Sequence, residues 1–219
     1  VRGSSVWLTT KHSSWRMIRP SSVADVIGSI HSLRIDTIDE RLTGDEAPQY
    51  RDAIAFQMRL GDTVANALGY QGEHFRLVDA PDVAAAEAAL WSAAPALGVR
   101  APATFAPTPE KRTTLALALD HLAQNAPVPR KVIPLYAGSP WGRVDVDGDA
   151  CTLCLACVGA CPEGALIDHP EALRLRFIES KCVQCGICEA TCPEHAIALV
   201  PQLDLTPEAR TPRVLIEAE

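Results

Sequence analysis

Eight cysteines, and no others in the 219 residues, fall between residues 151 and 192. They form two runs of one rhythm: CTLCLACVGACP at 151–162 and CVQCGICEATCP at 182–193. A shift of 31 residues superposes Cys151 on Cys182, Cys154 on Cys185, Cys157 on Cys188 and Cys161 on Cys192, and carries Pro162 and Glu163 onto Pro193 and Glu194. A disulfide framework needs no such rhythm, and the first 150 residues hold no cysteine with which to extend one. Thiols gathered in this way point to metal in a reducing compartment, and the expected location is the cytoplasm.

The spacing narrows the metal. A zinc ribbon uses paired C-x2-C knuckles and four ligands per ion, which leaves the third cysteine of each run, and the duplicated fourth, without a purpose. Three thiolates at steps of three lie on one short loop and can bind three irons of a cubane. The fourth, ahead of a proline, sits on a turn that leads away from that loop, and in this arrangement it ligates the other cluster.

Both runs resemble the bacterial-type two-cluster ferredoxin signature, C-x2-C-x2-C-x3-C-P. The resemblance covers residues 142–203, and all eight ligand positions match. It implies two [4Fe-4S] clusters, one held by Cys151, Cys154, Cys157 and Cys192 and the other by Cys182, Cys185, Cys188 and Cys161. It also implies one-electron transfer at low potential.

Each half reads as strand, cysteine loop, short helix, strand, and two such halves about an approximate twofold axis would enclose a small core. Leu153, Leu155, Val158, Ile187 and Ala190 stand between ligands and are expected to keep water from the sulfides. Lys181 is read as a surface lysine, His195 as an exposed residue after the second run, and His169 as the solvated start of a turn.

The remainder is less specific. Residues 1–34 carry Arg2, Lys11, Arg16, Arg19 and Arg34 against Asp25 alone, with many Ser and Thr. That composition is like an organellar transit peptide, but a poorly ordered segment is the expectation. Within DEAPQYRDAIAFQMRLGDTVANALGY, Tyr50, Ile54, Met58, Val64 and Leu68 recur at helical spacing. HFRLVDA at 74–80 alternates as a strand does, and Asp82 is placed to cap a helix through the alanines that follow.

Residues 92–109 are read as an Ala- and Pro-rich loop. Thr108, Pro109 and Glu110 then offer the cap and first turn of a helix to about Gln124, with Leu115, Leu119 and Leu122 on one face. Residues 126–141 are expected to be a linker, and 204–219 a C-terminal tail. Trp7, Trp15, Trp91 and Trp141 show no stacking pattern and are read as packing residues.

The fold class expected is α+β: a two-cluster ferredoxin-like domain of pseudo-twofold β-α-β repeats, preceded by a partial α/β helix-strand-helix region at 35–125. Residues 35–91 also resemble the end of the α/β domain of hydrogenase delta-type iron-sulfur subunits, which occur fused to ferredoxin modules.

Charge and hydropathy limit the partners. The net charge of -7 argues against a phosphate backbone, so no nucleic acid is expected. No run reaches the roughly 18 apolar residues of a spanning helix, so no membrane insertion is expected. From 142 to 203 there are four basic and nine acidic residues, net -5, which suits a redox partner or large oxidoreductase subunit with a basic docking patch.

No GxGxxG, P-loop or nucleophile-elbow pattern occurs before residue 150, and no catalytic residue is assigned there. The functional expectation is an electron-transfer subunit or module of a larger redox system. A fragment of a multidomain flavin-linked or heterodisulfide-reductase-like oxidoreductase, and clusters that serve only as structural supports, are the alternatives.

Overall fold

The computed structural model describes residues 5–10, 46–72, 74–80, 82–92, 99, 101, 103 and 110–218. The chain divides into two compact units between Pro129 and Arg130, inside the stretch read as a linker.

In the first unit, strand β1 (Ser5–Thr10) pairs in parallel with β2 (Phe75–Ala80), Ser5 opposite Phe75 and Thr10 opposite Ala80. A strand therefore stands where sequence suggested poor order; its Val-Trp-Leu-Thr-Thr run has the β-branched and aromatic content that strands favour. Helix α1 (Glu46–Ala67) buries Met58, Leu60, Val64 and Ala65, and Leu68 follows it fully buried. It ends because Gly69 turns left-handed at φ +86°, which lets Tyr70 N–H reach back to Ala65 O at 2.9 Å.

Helix α2 (Val83–Trp91) is capped as its sequence proposes, with Asp82 Oδ1 accepting Ala85 N–H at 2.8 Å. Trp91 at its end is 79% exposed, so it does not pack as expected. Helix α3 runs from Lys111 to Gln124, beginning after Glu110, and the proposed cap and proline at Thr108 and Pro109 lie outside the described residues. Its buried positions are Thr114 and Ala118, whereas Leu115 is exposed, so the inward face is turned by one residue from the expected leucine stripe.

The second unit holds two three-stranded antiparallel sheets. One has the order β3 (Val132–Pro134), β7 (Ile197–Asp204), β4 (Gly142–Val146). The other has the order β5 (Leu166–Ile167), β6 (Arg174–Phe177), β8 (Arg213–Glu217). Two short helices, α4 (Ala156–Ala160) and α5 (Ile187–Thr191), follow the cysteine loops. The core includes Val144, Leu166, Leu175, Phe177 and Ile197, with Cys157, Cys182 and Cys188 buried in the same cluster.

Two expectations change here. Residues 126–141 contain β3, whose Pro134 sits at the margin of an edge strand, where its missing N–H is tolerated. Residues 204–219 contain β8, which pairs with β6 from Arg174–Glu217 to Phe177–Arg213. Its Val-Leu-Ile run covers what would otherwise be the open edge of β6.

The pairing exchanges strands between the halves. The strand before the first cysteine run, β4, pairs with β7 after the second; the strand before the second run, β6, pairs with β5 after the first. Val146 lies opposite Ile197, and Phe177 opposite Leu166, pairs that correspond under the 31-residue shift.

Candidate metal centre

The two cysteine loops curl in the same way. Leu153 (φ 54°) and Leu155 (φ 57°) are left-handed in the first, and Gln184 (φ 55°) and Gly186 (φ 78°) in the second. Gly164 (φ 58°) and His195 (φ 52°) match again beyond the helices. A non-glycine residue pays roughly 1–2 kcal/mol for this conformation, so its recurrence at equivalent positions marks a loop shape the surroundings impose. Left-handed residues between ordinary ones aim successive N–H groups toward one side, a concavity suited to negative charge.

Around these loops lie two cavities. The first, about 360 Å³ of empty space partly open to solvent, is lined by Cys151, Cys154, Cys157 and Cys192, with Leu153, Leu155, Leu175, Ile197 and Glu194 also in its wall. The second, about 350 Å³, is lined by Cys161, Cys182, Cys185 and Cys188, with Val144, Leu166, Phe177, Val183 and Glu163. Each cavity thus takes three cysteines from one run and the fourth from the other. Among the described residues no three Cys, His, Asp or Glu side chains converge closely enough for a single metal ion. The thiols surround a volume instead of a point.

The fourth cysteine of each run is held by the turn behind it. Cys161 Sγ accepts Ala165 N–H at 3.3 Å, and Cys192 Sγ accepts Ala196 N–H at 3.4 Å. Gly164 N–H bonds to Cys161 O and His195 N–H to Cys192 O, both at 3.2 Å. Cys182 Sγ also accepts Gln184 Nε2–H at 3.4 Å.

Cys154 and Cys185 are exposed, while Cys157, Cys182 and Cys188 are buried. Burial pushes the Cys157 thiol above its ordinary value and the Cys188 thiol up to about 11, so in the absence of metal both keep their protons at neutral pH. Metal must displace those protons to bind.

The residues expected to shield the ligands divide unequally. Leu153, Leu155 and Val158 pack against the core, but Ile187 is 43% exposed and Ala190 is exposed as well. Shielding of the second cavity comes from strand residues, Val144, Leu166, Phe177 and Leu199, which a reading confined to the loop does not reach. Lys181 and His195 are exposed. His169 Nδ1 accepts Glu171 N–H at 3.2 Å in its turn.

One charged group escaped the sequence reading. Glu179 is 6% exposed, accepts Gln202 Nε2–H at 2.7 Å, and faces Arg213 Nη2 at 3.4 Å. Its main-chain oxygen accepts Cys182 N–H at 2.9 Å, which fixes the entry to the second loop. Burial raises the Glu179 pKa despite the Gln202 hydrogen bond and Arg213. The only sequence signal was an acid in a strand-flanking IESK segment, a pattern that surface residues share.

Residues 150–197 match the family model of the 4Fe-4S dicluster domain, a segment well under half of the chain. No curated protein matches the chain. The second unit therefore carries an iron–sulfur, ferredoxin-type domain for 4Fe-4S clusters, and the match supports iron–sulfur electron transfer. Among the described residues no helix is long and apolar enough to cross a membrane.

Proposed function

We propose that the chain is a low-potential one-electron carrier with two [4Fe-4S] sites, acting as a ferredoxin-like subunit or module of a larger redox system. Cys151, Cys154, Cys157 and Cys192 would hold one cluster, and Cys182, Cys185, Cys188 and Cys161 the other. The observation that carries this reading is the composition of the two cavities, each walled by three cysteines of one run and the fourth of the other. The matching loop conformations and the exchanged strands support an approximate twofold relation between the halves.

When bound, each cluster supplies reversible uptake of one electron at sulfur-ligated iron. The residues of the chain do the rest. Eight thiolates fix the two sites, and the crossed ligation holds them near one another. The curled loops present main-chain N–H groups toward the cavities, and the apolar strand residues exclude water behind them. Cys154 and Cys185, both exposed, offer the thinnest cover through which an electron can enter or leave. The net charge of -5 over 142–203 favours a partner with a basic docking patch.

A second reading, a piece of a multidomain oxidoreductase, draws on the parallel pairing of β1 with β2 beside helices α1 and α2, the arrangement of an α/β layer. The sequence resemblance to hydrogenase delta-type subunits belongs to this reading. Flavin or a large subunit copurifying with the chain would favour it.

Anaerobic purification with iron and sulfide analysis tests the main reading. About eight of each per chain are expected for two cubanes. About two zinc and no sulfide would overturn it.

A further inference from the structure

The two loops share a backbone but differ in one side chain that touches a ligand sulfur. Gln184 Nε2 donates to Cys182 Sγ at 3.4 Å and to Arg143 O at 3.2 Å. Thirty-one residues earlier its place is taken by Leu153, and that of Cys182 by Cys151. Both residues adopt the same left-handed conformation, at φ 55° and φ 54°, yet leucine has no N–H to give. The orientation of the amide follows from its neighbours. Turned over, Gln184 would set its oxygen against a carbonyl oxygen and a sulfur, three acceptors together.

Space for this amide is made elsewhere in the fold. A methyl group on Gly142 would lie closest to the Val200 main-chain oxygen, and 2.5 Å from Gln184 Cδ and 2.7 Å from Nε2. In the other half the position of Gly142 is occupied by Leu173. The Val200 carbonyl already requires glycine at 142, and Gln184 occupies the room beside it; the equivalent residues of the other half are Leu173 and Leu153.

Resting on the two-cluster reading above, we propose that Gln184 raises the reduction potential of the site built by Cys161, Cys182, Cys185 and Cys188, making it the site where a single electron resides. Hydrogen bonds to ligand sulfur favour the reduced form, because reduction adds negative charge that the donor stabilises. The carboxylates in the cavity walls do not separate the sites, since Glu194 in the first and Glu163 in the second occupy equivalent positions. Glu189, which replaces Val158, is exposed and screened by solvent. Glu179 has Arg213 against it at 3.4 Å.

The test is a potentiometric titration of the anaerobically purified chain, followed by absorbance and paramagnetic resonance. Dithionite supplies one electron to each site, with no bond made or broken. Wild type is expected to show two waves. Gln184→Leu, which copies the first site, should move the higher wave toward the lower. Gln184→Met keeps the length and the neutral charge but has no N–H to donate, and should move the same wave in the same direction.

If Gln184 only fills space, the neutral Gln184→Met will titrate like wild type, and the proposal is overturned. It is overturned equally if the lower wave moves. Should Gln184→Leu fail to retain iron, the methionine variant decides alone. Iron and sulfide well short of eight in wild type would instead refute the two-cluster reading itself, before any potential is compared.

Discussion

Ala165 donates its main-chain N–H to the sulfur of Cys161 at 3.3 Å, across the turn that follows the first cysteine run. The sulfur is thereby fixed in the wall of the second cavity, among Cys182, Cys185 and Cys188. Cys161→Ala is therefore expected to damage the second site and spare the first. Iron analysis should fall from about eight toward four per chain, with the remaining signal that of the site at Cys151, Cys154 and Cys157. Loss of that signal, with the other intact, would mean the ligation is not crossed.

Gly164 and His195 hold the same left-handed backbone at equivalent places, one at no steric cost and one against it. A Cβ on Gly164 meets nothing within 4 Å, so Gly164→Ala isolates backbone strain. It should destabilise by about 1 kcal/mol. The reverse exchange, His195→Gly, should be neutral or stabilising by about 0.5 kcal/mol, because relieved strain is partly offset by the greater freedom of glycine in the unfolded chain. Urea unfolding of the two variants checks both signs.

Burial raises the pKa of Glu179, so its charged form is disfavoured in the folded state. A raised carboxyl pKa contributes stability below the unfolded value, near 4.3, and that contribution is lost as pH rises through the folded value. Glu179→Gln keeps an oxygen that can accept from Gln202. It should match wild type in acid and become the more stable of the two as pH rises toward neutrality. A pH series of unfolding midpoints shows the trend, and a constant difference between the proteins would contradict it.

Phe177 is fully buried, faces Leu166 across the strand pair, lines the second cavity and lies 5.5 Å below the Arg213 guanidinium. Phe177→Ala should cost about 3–5 kcal/mol from lost contacts and the void left behind. Because the void opens onto Cys182 and Cys188, iron should leave the second site faster than the first under chelator. Equal loss rates would argue that the wall does not shield it.

The cysteine loops and their helices were legible because spacing and repeat state them outright: residue 156 begins α4 as residue 187 begins α5. Strands β3 and β8 were less so. Val132–Pro134 sits among prolines that locally argue for a break, and only pairing with Leu203 and its neighbours makes it a strand. Arg213–Glu217 has an apolar run, but it lies beyond the repeat that seemed to close the unit.

The leucine face of α3 shows a different limit. Helical spacing locates a stripe, whereas tertiary contacts decide which side of it turns inward, and here Thr114 and Ala118 do. Glu179 and Gln184 were invisible for a related reason. Their roles depend on partners 23 residues away at Gln202 and 41 residues away at Arg143.

The exchange of strands between the halves also has a meaning in time. A ribosome delivers β4 and the first cysteine run early, yet β4 finds its neighbour only when β7 emerges, and the first cavity lacks a wall until Cys192 is made. The last cysteine of the second cavity, Cys188, precedes it by only four residues. Neither cavity can be fully walled while the other half is still being translated. A chain stalled shortly before residue 188 would have neither cavity complete.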